Sequence, residues 1–276
     1  MKHLTEAQAE AYRNQGFVSP LTAMSETEAR RFRDRLEASE QAFGPLKIGG
    51  MGSKSHLLFT WVDEIARHPR VLDAVEDLIG GDILIYTLTL WLKGAKDGAF
   101  VDWHQDASYF GLEPKEQVTA WIALSESSAE SGCVRVIPGS HLTGGFRHSI
   151  REGSGNHMLP RRQAIDTLVD ESKAVQMPLK PGQFSLHHTL AIHGSEPNRS
   201  DDRRLGVGIS YIPTRCRFTG KTRLTGMLVR GADHHGHFDH ERRPQGDRTP
   251  ESIEYHAAVM KNYFGSKKEL NLADAE

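Results

Sequence analysis

Polar and apolar residues are mixed through the first third of the chain, whereas compact apolar runs at short intervals dominate from Asp82 onward. In the first part, residues 5–15 read as a short helix, with Thr5 as its cap and Gly16 as its stop. Residues 25–42 read as a longer helix, where Ser25 followed three positions later by Glu28 forms a capping-box pattern. A third helical stretch spans 63–78, is broken at Pro69 and ends at Gly80–Gly81. Beyond Asp82, runs rich in Ile, Leu, Val, Tyr and Thr are bounded by Gly, Pro, Asp and Ser, which predicts strands at 83–92, 101–104, 118–124, 133–137, 175–178, 184–187, 192–195 and 205–212. Short strands in this number, without alternating helices, point to a sandwich or jelly roll rather than β-α-β units. Residues 144–170 form a long polar excursion of the length often used for lids. After Pro213 the order weakens; 234–248 reads as exposed loop and 253–264 as a terminal helix.

The expected organisation is therefore one domain over residues 1–276, with a mainly helical N-terminal part (1–81), a β core (82–213) and a C-terminal loop and helix (214–276). A chain of 276 residues is long enough to bury a large core. A formal net charge of −2 argues against a general nucleic-acid partner. The most apolar stretch, 83–92, is half the length needed to span a bilayer, and the charged N-terminus has no apolar signal core, so no membrane partner is expected. Two cysteines, Cys133 and Cys216, supply neither a disulfide framework nor a thiolate zinc site, and the default reading is a reducing, cytoplasmic setting.

Candidate chemistry centres on Trp103-His104-Gln105-Asp106. On an extended backbone, residues two apart share a face, so His104 and Asp106 would offer an imidazole nitrogen and a carboxylate oxygen to one ion while Gln105 faces away. A histidine from a distant strand would complete a facial triad with open coordination positions, the arrangement of non-haem iron(II) oxygenases. His-x-Asp alone is a weak sign in a chain of 15 histidines, and an isolated histidine near a strand end is more often structural. His193 stands out because it ends an apolar run and enters a Gly-Ser turn, with Arg204 eleven positions on at the head of the next strand. A guanidinium there suits the distal carboxylate of a dicarboxylate co-substrate.

His104-Gln105-Asp106, the run 119–124 (TAWIAL), the run 131–141 (SGCVRVIPGSH), and His193-Gly194-Ser195 with Asn198 and Arg204 resemble the phytanoyl-CoA dioxygenase family over residues 83–212. The resemblance implies a mainly β fold with flanking helices around a double-stranded β-helix, a cupin-like jelly roll. It implies iron(II) on His104, Asp106 and His193, with 2-oxoglutarate as co-substrate held by Arg204 and Ser195, beside Trp121, and dioxygen as oxidant. The expected activity is hydroxylation of an unactivated C–H bond of a small-molecule metabolite, with succinate and CO2 as co-products. Related aliphatic halogenases carry Gly or Ala in place of the carboxylate, so Asp106 favours hydroxylation over halogenation.

Tyr109 and Phe110, just after the His-x-Asp pair, are expected to wall the substrate pocket. The His-rich stretch 233–240 and the basic run Arg215, Arg217, Lys221 and Arg223 read as exposed loop, His141 as structural, and His187 as a neighbour of the metal site only if its strand runs unbroken towards His193. Two other function classes fit the same scaffold: a cupin-like metalloenzyme that does not use 2-oxoglutarate, for which Arg204 would be dispensable, and a non-catalytic binding module. Neither the substrate nor the oligomeric state is legible.

Overall fold

The computed structural model describes residues 1–150, 156–159 and 161–270. Local signals place the helices. Helix α1 (Glu6–Gln15) starts at a full capping box: the Thr5 hydroxyl accepts from the Gln8 amide at 3.2 Å, and the Gln8 side chain accepts from the Thr5 amide at 2.9 Å. Helix α2 (Glu26–Phe43) is capped by Ser25, which accepts from the Glu28 amide at 3.2 Å. The third predicted stretch is two helices, α3 (Thr60–Ala66) and α4 (Pro69–Ile79), because proline is excluded from a helix interior but suits its first turn. Helix α5 (Pro250–Ser266) closes the described chain, capped by Thr249. Among the described residues no helix is long and apolar enough to cross a membrane.

Ten strands matter for the site: β1 (Phe17–Thr22), β2 (Ile83–Lys93), β3 (Val101–His104), β4 (Val118–Ala123), β5 (Val134–Val136), β6 (Val175–Met177), β7 (Gln183–His188), β8 (His193–Ser195), β9 (Arg204–Pro213) and β10 (Thr225–Arg230). The eight predicted strands are all present, each end within one residue of its expected position. A seven-stranded sheet runs β1-β7-β4-β9-β2-β10 and ends on the short strand Asp239–His240; a four-stranded sheet runs β3-β8-β5-β6. The protein is mainly β with helices packed outside.

Three features depart from the sequence reading. Strands β1 and β10 lie outside 82–213 yet belong to the large sheet, β1 paired with β7 and β10 with β2. Residues 17–22 carried no expected element; they form β1, an edge strand, where Pro20 is tolerated. The excursion 144–170 carries its own hairpin, His148–Ile150 against Gln163–Ile165; residues 151–155 and 160 of that segment lie outside the described residues. Within 234–248, Asp239–His240 pairs with β10 and Glu241 is buried, bonded to Lys54 and His56, so this stretch is not all exposed loop.

Alternation along the central strands gives the large sheet two chemically distinct faces. Leu88 and Leu90 on β2, Ala120 and Ile122 on β4, Phe184 and Leu186 on β7, and Leu205, Val207 and Ile209 on β9 pack into the main core with the helices. The intervening residues Thr87, Thr89 and Trp91, Thr119 and Trp121, His187, and Gly208 and Ser210 line a cavity instead. On β2 the pairing slips between Ile85 and Thr87, which turns Tyr86 into a separate aromatic cluster with Phe110, Phe238 and Tyr263. Shortening a helix-facing side chain should therefore weaken the fold and leave the cavity face alone. Ile209→Ala is expected to cost about 2–5 kcal/mol, read as a lower urea midpoint with an unchanged m-value.

Candidate functional site

Strands β3 and β8 pair with His193 directly opposite His104, so their rings lie 4.1 Å apart, centroid to centroid. Each Nδ1 donates to a backbone carbonyl two residues earlier, His104 to Asp102 and His193 to Ala191, both at 2.9 Å. A carbonyl can only accept, so these bonds fix the tautomer and leave each Nε2 lone pair free. Asp106 joins them by a different route from the one expected. Strand β3 stops at His104, and Asp106 has helical backbone angles (φ −60, ψ −34) at the start of the single-turn helix Ala107–Phe110. The pair converges through that turn, not through pleat alternation. One ligand atom from each of His104, Asp106 and His193 lies within 4.8 Å of the others; among the described residues this is the single such group of three or more.

The intervening Gln105 does face away, and its side chain has a structural task. Its amide nitrogen donates to the carbonyls of Gly144 (3.0 Å) and Leu190 (2.7 Å), and its oxygen accepts from the Phe146 amide (2.7 Å). Its backbone amide donates to His148 Nε2 at 3.0 Å, while His148 Nδ1 donates to the Phe146 carbonyl at 2.7 Å. The excursion is thus fastened to the back of the His-x-Asp turn.

Electrostatics suit a cation. Burial pushes the imidazoles of His104 and His193 below their usual range, which favours the neutral form that binds metal. Burial alone would raise the Asp106 carboxyl; the surrounding imidazoles of His187, His193 and His104 outweigh it and hold it well below the usual carboxylate range. Its Oδ2 accepts from the Thr119 hydroxyl at 2.8 Å, and Gln117 donates to that same hydroxyl oxygen at 2.6 Å. Two neutral nitrogens and one oriented carboxylate form a donor set that fits iron(II).

The same cavity holds the expected anion site. Arg204 is 1% exposed, and its Nε and Nη2 have no hydrogen-bond partner. Its guanidinium lies 5.1 Å from the Trp121 ring centroid, and burial lowers its pKa to about 10. A buried charge left unpaired costs about 3–5 kcal/mol, so this side chain calls for an anionic ligand. Glycines make room for the ring: a Cβ at Gly206 would lie 2.0 Å from Trp121, and one at Gly208 2.6 Å from Trp91. Ser195 accepts at 2.8 Å from Lys93, which leaves its own proton to donate. Lys93 was missed in the sequence. It is paired in register with Arg204 and also donates to the Glu196 carbonyl, and burial, then Arg204, pushes it down to about 6. Its signal was its place at the end of the cavity-facing series Thr87, Thr89, Trp91.

Tyr109 and Phe110 line the cavity together with Tyr263 and Phe264 of α5. His187 also lines it; its strand stops at His188, yet the ring lies 4.4 Å from that of His193, and Nε2 is 3.8 Å from Asp106 Oδ2, too long for a hydrogen bond. His141 donates to the Arg13 carbonyl at 2.9 Å, a structural tie to α1. Arg215, Arg217 and Arg223 form ion pairs with Glu116, Glu113 and Asp239, and His240 with Asp233.

The family model for phytanoyl-CoA dioxygenase (PhyH) matches residues 12–206. A probable alpha-ketoglutarate-dependent hypophosphite dioxygenase of Stutzerimonas stutzeri is 29% identical over 157 residues, which is 56% of this chain and 54% of that protein. The chain spans about half the length of the first curated relatives it matches. A solved structure described as the non-heme monooxygenase ThoJ, apo, is 32% identical with a TM-score of 0.83, covering 95% of this chain and 98% of that one. The epimerase SnoN, solved in complex with Fe3+, alpha ketoglutarate and nogalamycin RO, shares the fold at 24% identity and a TM-score of 0.64, covering 88% of this chain and 96% of that one. The chain belongs to the phytanoyl-CoA dioxygenase family. Homologues and structural neighbours within that group are 2-oxoglutarate-dependent oxygenases that use iron.

The Gln105–His148 tie makes stability pH-dependent. Burial pushes His148 down to about 4 from 6.5, so between those values the unfolded chain binds a proton that the folded one refuses. Stability is then lost as pH falls through the window from 6.5 towards 4. Urea unfolding across this range should show the slope, and His148→Gln should reduce it by one proton's share, since buried His188 is pushed down to about 4 as well.

Proposed function

We propose that the chain is an iron(II)- and 2-oxoglutarate-dependent oxygenase that hydroxylates an unactivated C–H bond of a small-molecule metabolite. The observation that carries this reading is the buried, unpartnered guanidinium of Arg204 in the same cavity as the His104–Asp106–His193 cluster. A metal-binding scaffold without a dicarboxylate co-substrate has no use for that charge. The facing sheets support a single domain built on a double-stranded β-helix, or jelly roll. Buried, unbridged Cys133 and Cys216 support a reducing, cytoplasmic setting.

In this reading His104, Asp106 and His193 hold iron(II) through two imidazole Nε2 atoms and one carboxylate oxygen. With 2-oxoglutarate and dioxygen the iron supplies the oxidising chemistry, leaving succinate and CO2 as co-products. Thr119 restrains Asp106 Oδ2 and so orients the carboxylate. Arg204 takes the distal carboxylate of 2-oxoglutarate through paired N–H donors, Ser195 adds its hydroxyl, and the Trp121 ring shields the pair from water. Asp106 occupies the third position of the cluster, which favours hydroxylation over halogenation. The fold alone leaves the outcome open, since SnoN is an epimerase on the same scaffold.

Anaerobic addition of iron(II) and 2-oxoglutarate is expected to give a weak visible charge-transfer band, lost in Asp106→Ala and His193→Ala. Absence of the band in the wild type, or its persistence in both variants, rejects the assignment. Arg204→Ala should weaken 2-oxoglutarate binding by at least about thirtyfold, the equivalent of about 2 kcal/mol. An unchanged affinity would favour a metalloenzyme that does not use this co-substrate.

A further inference from the structure

The cavity extends beyond the triad and Arg204, and the rest of its lining defines a substrate chemistry. Among its lining residues the formally charged groups are Asp106 and Arg204, both already assigned. Lys93 does not line it; its ammonium bonds to Ser195 and to the carbonyls of Glu196 and Gly132. Lys267 is also outside the lining, buried among aromatic rings, and Arg161 donates to the Lys267 carbonyl at 3.0 Å. Among the described lining residues, a phosphate, carboxylate or CoA group would find no cation besides Arg204.

What the cavity offers instead is aromatic surface and hydrogen bonds. Tyr109 with Phe110, and Tyr263 with Phe264, present two edge-to-face ring pairs, at 5.8 Å and 5.6 Å between centroids. Flat ring systems pack on such a wall better than a flexible acyl chain does. Across the large sheet, Thr87, Ser210, Thr119 and His187 stand in register on four adjacent strands, a polar row on the cavity face. Thr119 is committed to Asp106. His187 is 1% exposed and neither ring nitrogen has a partner; Gln163 is equally buried, lines the same cavity, and its side-chain oxygen is also unpartnered. Buried polar atoms without a protein partner are met by water or by a ligand, and inside a binding cavity a ligand can take both. His187 and Gln163 together ask for a molecule carrying both a donor and an acceptor.

Resting on the oxygenase reading above, we propose that the substrate is an uncharged, flat ring compound with an amide-like or heteroaromatic N–H/C=O edge. The ring lies against Tyr109, Phe110, Tyr263 and Phe264. The polar edge bonds to His187 and Gln163, with the Thr87 and Ser210 hydroxyls beside it. His187 neighbours Asp106, so an edge anchored there brings the ring to the triad.

The test uses matched probes on the anaerobic iron(II)/2-oxoglutarate protein, with 2-oxoglutarate in excess to fill the Arg204 site: 2-naphthamide, 2-naphthoate, naphthalene and octanamide, followed by calorimetry. The expected result is 2-naphthamide binding at least tenfold tighter than each of the others. His187→Leu should erase the preference for the amide over naphthalene, and His187→Asn should recover part of it. Gln163→Leu provides the same reading should His187→Leu not fold. Tyr109→Ala should erase the preference for the naphthyl amide over octanamide. The proposal is overturned if 2-naphthoate or octanamide binds as tightly as 2-naphthamide, if none of the probes binds, or if the preference survives in both His187→Leu and Gln163→Leu. The charge-transfer band of the same sample separates the two readings. A band without the amide preference removes the substrate class alone. The amide preference without a band removes the oxygenase assignment and leaves the pocket chemistry standing.

Discussion

Everything at the site depends on the large sheet keeping two incompatible surfaces back to back. Leu88, Leu90, Ile122, Leu186, Val207 and Ile209 are driven from water against the helices, and that burial holds the register of four adjacent strands. Because side chains alternate strictly, the same register delivers Thr87, Thr89, Trp91, Thr119, Trp121 and His187 to the opposite face without any further device. A slip of one residue would bury the polar set among aliphatics and expose the aliphatics to the cavity. The hydrophobic effect thus positions the polar chemistry, and the glycines at 206 and 208 matter because the two tryptophans lie over the strand where any Cβ would stand.

The smaller sheet contributes by register rather than by burial. Pairing His193 opposite His104 brings two histidines 89 positions apart into ring contact, and the carbonyls of Asp102 and Ala191 set both tautomers. Gln105 explains how a single-turn helix can hold Asp106 in place. With its side chain and backbone amide bonded to the excursion and to the Leu190 carbonyl, the turn that carries the carboxylate cannot rotate freely.

Charge is arranged with the same economy. Asp106 stays ionised among imidazoles, Lys93 is bonded to Ser195 and main-chain carbonyls, and of these three charged groups Arg204 is the one left with idle donors. A protein keeps a buried guanidinium unpaired only when a ligand completes it. This leaves the remainder of the cavity without free charge, and aromatic faces and unpartnered neutral donors and acceptors dominate there.

Much of this was legible in the sequence, for physical reasons that differ by residue. Capping residues Thr5 and Ser25, Pro69, and the apolar runs act within a few residues, so they predicted helix ends and eight strands closely. His104, Asp106, His193 and Arg204 were readable because their motif spacing records a strand-turn-strand geometry. Strand β1 was not, since the short run 17–22 gains its place only by pairing with β7 at an edge of the sheet. Asp106 reaches the cluster through a helical turn that follows Gln105, whose bonds to the excursion are long-range contacts. Lys93 was marked only by its alternation with Thr87, Thr89 and Trp91, and His187 only by an alternation that depended on an unbroken strand; pairing with β9 and β4 decided where each one lies. The sequence determined which side chains were available and how the chain bends locally. Only tertiary pairing decided which of them share a cavity, because that depends on register between strands far apart in the chain.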